Sequence, residues 1–333
     1  MRVLTIAAAL AIFSSQAGAQ PEPIIDMHFH AHPADAMGPP GSKICVPYEE
    51  WPERDPSKPI TDYLERFSGA PNCRRTLTGA GTDAELRTRN LAMLRKHNVI
   101  AVASGSPARV AEYARLARDR IIPGYEFGEG DLPPLEELRQ LHKAGRLKVL
   151  GEITSQYGGM APDDPRLEPY FALAEELDIP VAIHIGPGPP GGVYFAYPNY
   201  RAALGDPLRL EPVLVRHPKL RIYAMHAGWP LSEAMIAMMF SHPQLYVDTG
   251  IINYAYRRSD FHAYLKRLTD AGFAKRIMFG SDQMVWPEAI EAAIEGITSA
   301  DFLSGQQKRD ILYNNAARFL RLTPEQIAKR PGR

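Results

Sequence analysis

Eight short apolar runs, each followed by a longer amphipathic stretch, constrain this chain more than any other feature. The runs cover residues 24–30, 99–105, 121–127, 149–156, 181–186, 220–228, 245–252 and 277–282. Helical patterns lie between them at 83–97, 108–118, 134–144, 165–177, 231–240 and 260–271. Strands that alternate with helices argue for βαβ units on a parallel sheet. Eight units fit a closed (β/α)8 TIM barrel better than a doubly wound open sheet. No Gly-rich dinucleotide fingerprint follows the first run, which weakens the open-sheet reading further. Thr82 and Glu85 predict a capping box at the start of the first long helix. Pro230 and Pro287 suit the first turns of the helices after runs six and eight.

Two stretches break the rhythm. Residues 33–81 follow the first run, are rich in Pro and Gly, and hold both cysteines, Cys45 and Cys73. Residues 186–205 follow the fifth run and read GPGPPGGVYFAYPNYRAALG. Both fall after strand carboxyl ends, where barrels of this kind carry their working loops. A barrel distorted by insertions after strands 1 and 5 is therefore expected.

The amino-terminal residues are read separately. Met1-Arg2 is positive, residues 4–13 are apolar and uncharged, and Ala17-Gly18-Ala19 supplies a small-residue cleavage pattern. That run is too short to span a bilayer, so residues 1–19 read as a cleaved export signal and 20–333 as one catalytic domain, periplasmic or secreted. In an oxidising compartment Cys45 and Cys73 are expected to pair. No later stretch predicts a membrane span. With 38 basic and 38 acidic residues, nothing argues for nucleic acid, which needs a basic face. A small-molecule substrate fits, and self-association is left open.

The chemistry gathers where the runs end. Run one closes Asp26-Met27-His28-Phe29-His30, and a strand's period of two puts Asp26, His28 and His30 on one face, Met27 and Phe29 on the other. Run five ends at His184, run six at His226-Ala227-Gly228, and run eight at Gly280-Ser281-Asp282. Small residues two positions earlier, Ala182, Ala224 and Gly280, suit a crowded barrel interior. Imidazoles and a carboxylate arriving together from separate strands are a metal-ligand set. Glu152, near the end of run four, is either a further ligand or a supporting carboxylate. Of the remaining histidines, His97, His217 and His242 read as helix termini, His142 and His262 as solvent-facing helix residues, and His32 as a loop or pocket contact. Tyr125, Glu126, Asp248 and Asn253 lie near strand ends, structural or touching substrate.

The set His28-x-His30, His184, His226 and Gly280-Ser281-Asp282 resembles the amidohydrolase superfamily, in its amidohydrolase-2 branch of metal-dependent hydrolases. The likeness runs from about residue 24 to 320 and includes the ending Asn314-Asn315-Ala316-Ala317-Arg318-Phe319. It implies a divalent metal on His28, His30, His184 and Asp282, with His226 on a second ion or polarising substrate. It also implies that Glu152 decides between one ion and two. Zinc is the expected ion, with manganese, iron or cobalt also suited to imidazole and carboxylate.

The reading is a hydrolase of an amide, ester or lactone, using metal-activated water with Asp282 as general base and acid. The alternative is a decarboxylase of an aromatic or unsaturated acid, with Arg201 as a carboxylate clamp. Tyr197, Trp229 and Trp286 are candidate contacts to an apolar, aromatic or cyclic substrate.

Overall fold

The computed structural model describes residues 21–69, 73–128 and 130–323; the export signal expected over 1–19 lies outside the described residues. Eight parallel strands pair in sequence order: β1 (Ile24–His30), β2 (Val99–Ser104), β3 (Ile121–Gly128), β4 (Val149–Thr154), β5 (Val181–His184), β6 (Ile222–Met225), β7 (Tyr246–Asp248) and β8 (Ile277–Met278). They are almost wholly buried, because helices cover the outer face while side chains fill the inside. That double burial is why the runs read as continuously apolar.

The barrel closes by contacts between β1 and the residues after β8. The Met27 N–H donates to the Phe279 carbonyl (2.9 Å) and the Asp282 N–H to the His28 carbonyl (2.6 Å). Asp26 accepts from the Ser281 N–H (2.8 Å) and hydroxyl (2.5 Å). The Gln283 amide brackets the His30 backbone, accepting from its N–H (3.0 Å) and donating to its carbonyl (2.7 Å). Backbone bonds and side chains thus close this seam together, and the strand expected over 277–282 pairs with β7 only at its first two residues.

One expectation about β1 fails for a physical reason. The pairing register slips between Asp26 and Phe29, a bulge in the ladder to β2. Ile25 and Met27 consequently pack in the barrel interior, whereas Phe29 packs outward against Tyr113. Asp26 turns to Ser281 and does not share the site with His28 and His30. A bulge re-aims the side chains that follow it.

The interior is filled from below by the C-terminal segment. Tyr313, Ala316, Ala317 and Phe319 pack against Ile25, Met27, Ile100, Ile122, Val149 and Tyr223. Asn315 donates to the Ala274 (2.8 Å) and Ile277 (2.6 Å) carbonyls, fixing this plug to β8.

Around the strands stand α2 (Asp83–Lys96), α3 (Pro107–Leu116), α4 (Leu135–Lys143), α5 (Glu168–Glu176), α6 (Glu211–Arg216), α7 (Ser232–Ser241), α8 (Arg258–Asp270) and α9 (Ala289–Thr298), with α1 (Ile60–Gly69) inside the first insertion. Thr82 caps α2 by accepting from the Glu85 N–H (3.2 Å), but the Glu85 carboxylate takes the Gly81 N–H (2.9 Å), so the box is half formed. Helix α7 starts at Ser232 and α9 at Ala289, so Pro230 and Pro287 occupy connecting turns and not the helices. His97, His217 and His242 do terminate helices. His262 is half-buried and bonds the Gly296 carbonyl (3.0 Å).

The first insertion holds a small two-stranded antiparallel sheet, Lys43–Cys45 with Thr76–Thr78, and a Cys45–Cys73 disulfide whose Cα atoms lie 5.3 Å apart.

Candidate metal centre

Six side chains from five strand ends meet at the carboxyl mouth. His28 and His30 leave the end of β1, and their Nε2 atoms lie 3.1 Å apart. Asp282 Oδ1 sits 3.0 Å from His30 Nε2 and 3.5 Å from His28 Nε2. Glu152, on β4, turns Oε2 to the same pair, at 3.5 and 3.4 Å. Its other oxygen, Oε1, faces a second pair: His184 Nδ1 at 2.8 Å and His226 Nε2 at 3.6 Å, themselves 3.1 Å apart. The donors therefore form two imidazole pairs with one carboxylate between them. The structure groups His184 with Glu152 and His226, not with His28 and His30, and a further group of His28, His226 and Asp282 links the two pairs.

His226 and Asp282 follow their strands instead of ending them. Both have left-handed backbones (φ 57° and 51°), as does Ala227 (φ 51°). Such conformations cost roughly 1–3 kcal/mol each in side-chain-bearing residues and gather at functional sites. Here they swing the imidazole and the carboxylate inward. Nearby glycines leave the necessary room: a Cβ on Gly250 would stand 2.5 Å from His28 Nδ1, and one on Gly280 2.7 Å from His28 Cβ.

The donor set fits a divalent cation. Two metal–nitrogen bonds of about 2.0–2.1 Å, at angles near 95–110°, leave their nitrogens roughly 3.0–3.4 Å apart. Both imidazole pairs meet that spacing. Asp282 Oδ1 is buried against the Nε2 atoms of His30 and His28, without a well-aligned hydrogen bond to either. Burial opposes ionisation of Asp282, but His28, His30 and His226 outweigh it and hold the carboxyl at about 2. Burial opposes the charge on His30 too, and Glu126 and Asp282 still push it up to about 10. Glu152 is likewise held ionised against burial, chiefly by His28. The pocket is thus anionic and balanced by imidazolium protons. A divalent cation would satisfy the same carboxylates while displacing those protons.

The neighbourhood sorts the remaining candidates. His32 Nε2 contacts both Glu126 oxygens (3.0 and 2.9 Å), and the two residues line the same cavity. Asn253 donates to the Thr249 hydroxyl and the Gly280 carbonyl, a structural role. Trp286 is buried, and its indole N–H donates to the Ser42 carbonyl (2.8 Å), pinning the first insertion to the barrel. Arg201 is exposed and its guanidinium donates to the Pro198 and Tyr200 carbonyls (2.8 and 2.6 Å), so it serves its own loop. Tyr197 stacks on Tyr157 (ring centroids 4.4 Å apart), and Trp229 meets Tyr256 edge to face (4.2 Å).

Sequence reasoning missed Tyr157. Its hydroxyl lies 3.4 Å from both His184 ring nitrogens. It follows β4 in a short 3-10 turn, and no local pattern marks it.

The Amidohydrolase family model matches residues 25–322. The chain belongs to the amidohydrolase family. Among solved structures it is similar to an uncharacterised TIM-barrel protein from Bordetella bronchiseptica (20% identity over 92% of this chain and 100% of that chain, TM-score 0.60). It is also similar to a probable 2-pyrone-4,6-dicarboxylic acid hydrolase from Acinetobacter baumannii (14%, 90% and 100%, TM-score 0.58). A third is the 2,6-dihydroxybenzoate decarboxylase from Rhizobium (16%, 91% and 99%, TM-score 0.53). No curated protein matches by sequence. At these identities the likeness carries the fold, and the reaction has to be argued from the site.

Proposed function

We propose that this amidohydrolase is an exported, metal-dependent hydrolase of an amide, ester or lactone, in which His28, His30 and Asp282 would hold one divalent ion and His184 and His226 a second, with Glu152 open to both groups. The observation that carries the reading is the two-sided placement of Glu152, one oxygen toward His28 and His30, the other toward His184 and His226. Asp282 completes the first group. Zinc is the ion we favour, and manganese, iron or cobalt would suit the same donors.

Bound there, the ions supply Lewis acidity toward a carbonyl oxygen and acidify an attacking water. The chain's own residues do the rest. The Asp282 carboxylate accepts the proton of the attacking water and later returns it to the leaving group. His226 is oriented by its Nδ1, which donates to the Gly250 carbonyl (3.1 Å), so its Nε2 faces the cluster. The Tyr157 hydroxyl is a donor beside His184, suited to a substrate oxygen. Trp229, Tyr256, Tyr157 and Tyr197 offer ring surface for an apolar, aromatic or cyclic substrate. Arg201, the clamp the decarboxylase reading would use, gives its Nη1 to the Pro198 and Tyr200 carbonyls of its own loop.

The test is metal content together with turnover. Protein prepared without chelators should hold two divalent ions per chain and hydrolyse members of a lactone, ester and amide panel. Glu152→Ala should lose at least one ion. One ion per chain, with carbon dioxide evolved from an aromatic or unsaturated acid, would replace the hydrolase by the decarboxylase. Export is tested separately: the mature chain should begin at Gln20, and an intact Met1 would refute it.

A further inference from the structure

The reaction proposed above uses the faces of His28 and His30 that look toward each other. Their other nitrogens are also engaged, each by a carboxylate that the reaction does not use. His28 Nδ1 lies 3.2 Å from Asp248 Oδ2, and His30 Nδ1 lies 3.1 Å from Glu126 Oε2. These two anchors are not equivalent. Asp248 is fully buried at the end of β7, and its Oδ1 accepts the His226 and Gly250 backbone N–H groups (3.1 and 2.8 Å). Glu126 sits on β3 with its side chain partly exposed, and among the described residues only imidazoles meet its carboxylate: His30 and His32. It also forms part of the wall of a cavity of about 640 Å3, with His32, Arg109, Tyr125 and Thr154.

Strand β2 lies between β1 and β3, so Glu126 must reach past it to touch His30. Strand β2 ends in Ser104, and Gly105 follows it. Ser104 turns its hydroxyl away to the Gly151 carbonyl (2.6 Å), and Gly105 has no side chain at a place where a Cβ would come within 3.0 Å of the Ala31 carbonyl.

We infer that Glu126, held by His32, is the positioning residue that fixes the ring of His30. An imidazole that holds an ion is neutral and carries one N–H, and an ionised carboxylate only accepts. The proton therefore resides on Nδ1, and the Nε2 lone pair is left facing the cluster. Without Glu126 the ring is free to take the other tautomer, which would aim an N–H at the ion. Carboxylates behind ligating histidines orient them in this way, and their loss typically weakens metal binding about 10–100-fold. The inference rests on reading the cluster as a metal centre.

The experiment titrates Co2+ against a chelating competitor in wild type, Glu126→Ala, Glu126→Gln and His32→Ala, with circular dichroism reporting the fold. Glu126→Ala should bind Co2+ about 10–100-fold more weakly. Glu126→Gln keeps an oxygen acceptor and should recover part of the loss. His32→Ala should lose less than Glu126→Ala, because the anchor remains but is no longer held. A folded Glu126→Ala with wild-type affinity overturns the positioning role and leaves the metal centre standing. Wild type that binds no Co2+ overturns both. If Glu126→Ala does not fold, wild-type affinity in both other variants is the overturning result.

Discussion

At the lower end of the barrel, Ile25, Met27, Ile100 and Val149 pack against Tyr313 and Phe319; a few residues further along, β1 and β4 end in His28, His30 and Glu152. The lower end is held by contacts without direction, and any side chain of suitable volume and polarity serves there. At the mouth each polar group is specified by another: Gln283 brackets His30, Asp248 meets both His28 and the His226 backbone, Asp26 takes Ser281. The comparison teaches that stability and chemistry are divided between the two ends. A change below should loosen the molecule, whereas a change above should silence it.

The sharpest way to break this division is Asp282→Asn. Loss of a general acid–base group costs roughly 10²–10⁴-fold in rate, so kcat should collapse while the denaturation midpoint moves little. A variant with near-normal turnover would end the role given to Asp282. At the opposite end, Phe319→Ala should cost about 3–5 kcal/mol of stability, read as a lower urea midpoint, and should leave Co2+ affinity unchanged. If affinity falls in parallel, the two ends are coupled and the division is false.

Smaller effects sharpen the picture. Cys45 and Cys73 are 28 residues apart, and removing a cross-link over such a loop costs about 3–4 kcal/mol on the loop-entropy model. The loss should fall on the first insertion, so proteolysis of Cys45→Ser with Cys73→Ser should cut there before the barrel unfolds. Barrel cleavage at the same rate would contradict that. The smallest effect concerns Asp83, which accepts the Ala34 N–H (2.7 Å) and pairs with Arg109 (2.8 Å) at the mouth. The Ala34 bond leads, and with Arg109 it holds the Asp83 carboxyl below its ordinary value. A folded value below the unfolded one stabilises above the unfolded value near 4, and that contribution is lost as pH falls through the folded value. Being largely exposed, the group should contribute under about 1 kcal/mol. Asp83→Asn should thus be slightly less stable at pH 7 and converge with wild type in acid. An unchanged difference at low pH would show that the carboxylate charge plays no part.

Several expectations were legible because they depend on local pattern. The alternation of apolar runs with helical stretches predicts the barrel, and the ligand-type residues His28, His30, His184, His226 and Asp282 all lie at or just after strand ends. Others were not legible. Trp286 and Arg201 have the chemistry of substrate contacts, yet each is engaged structurally, by Ser42 and by the Pro198 and Tyr200 carbonyls. Glu126, Asp248 and Tyr157 gain their roles from partners 27 to 220 residues away. No window of sequence contains such pairs.

The amino-acid sequence by itself determined the fold class and the residue types at the mouth, since hydrophobic periodicity and side-chain chemistry are properties of short segments. Tertiary structure alone decided how the donors divide. The bulge in β1, the left-handed turns at His226 and Asp282, and the reach of Glu152 between two imidazole pairs depend on strands meeting across the barrel. Directional contacts need both partners in place, and only the closed barrel brings them within hydrogen-bond distance.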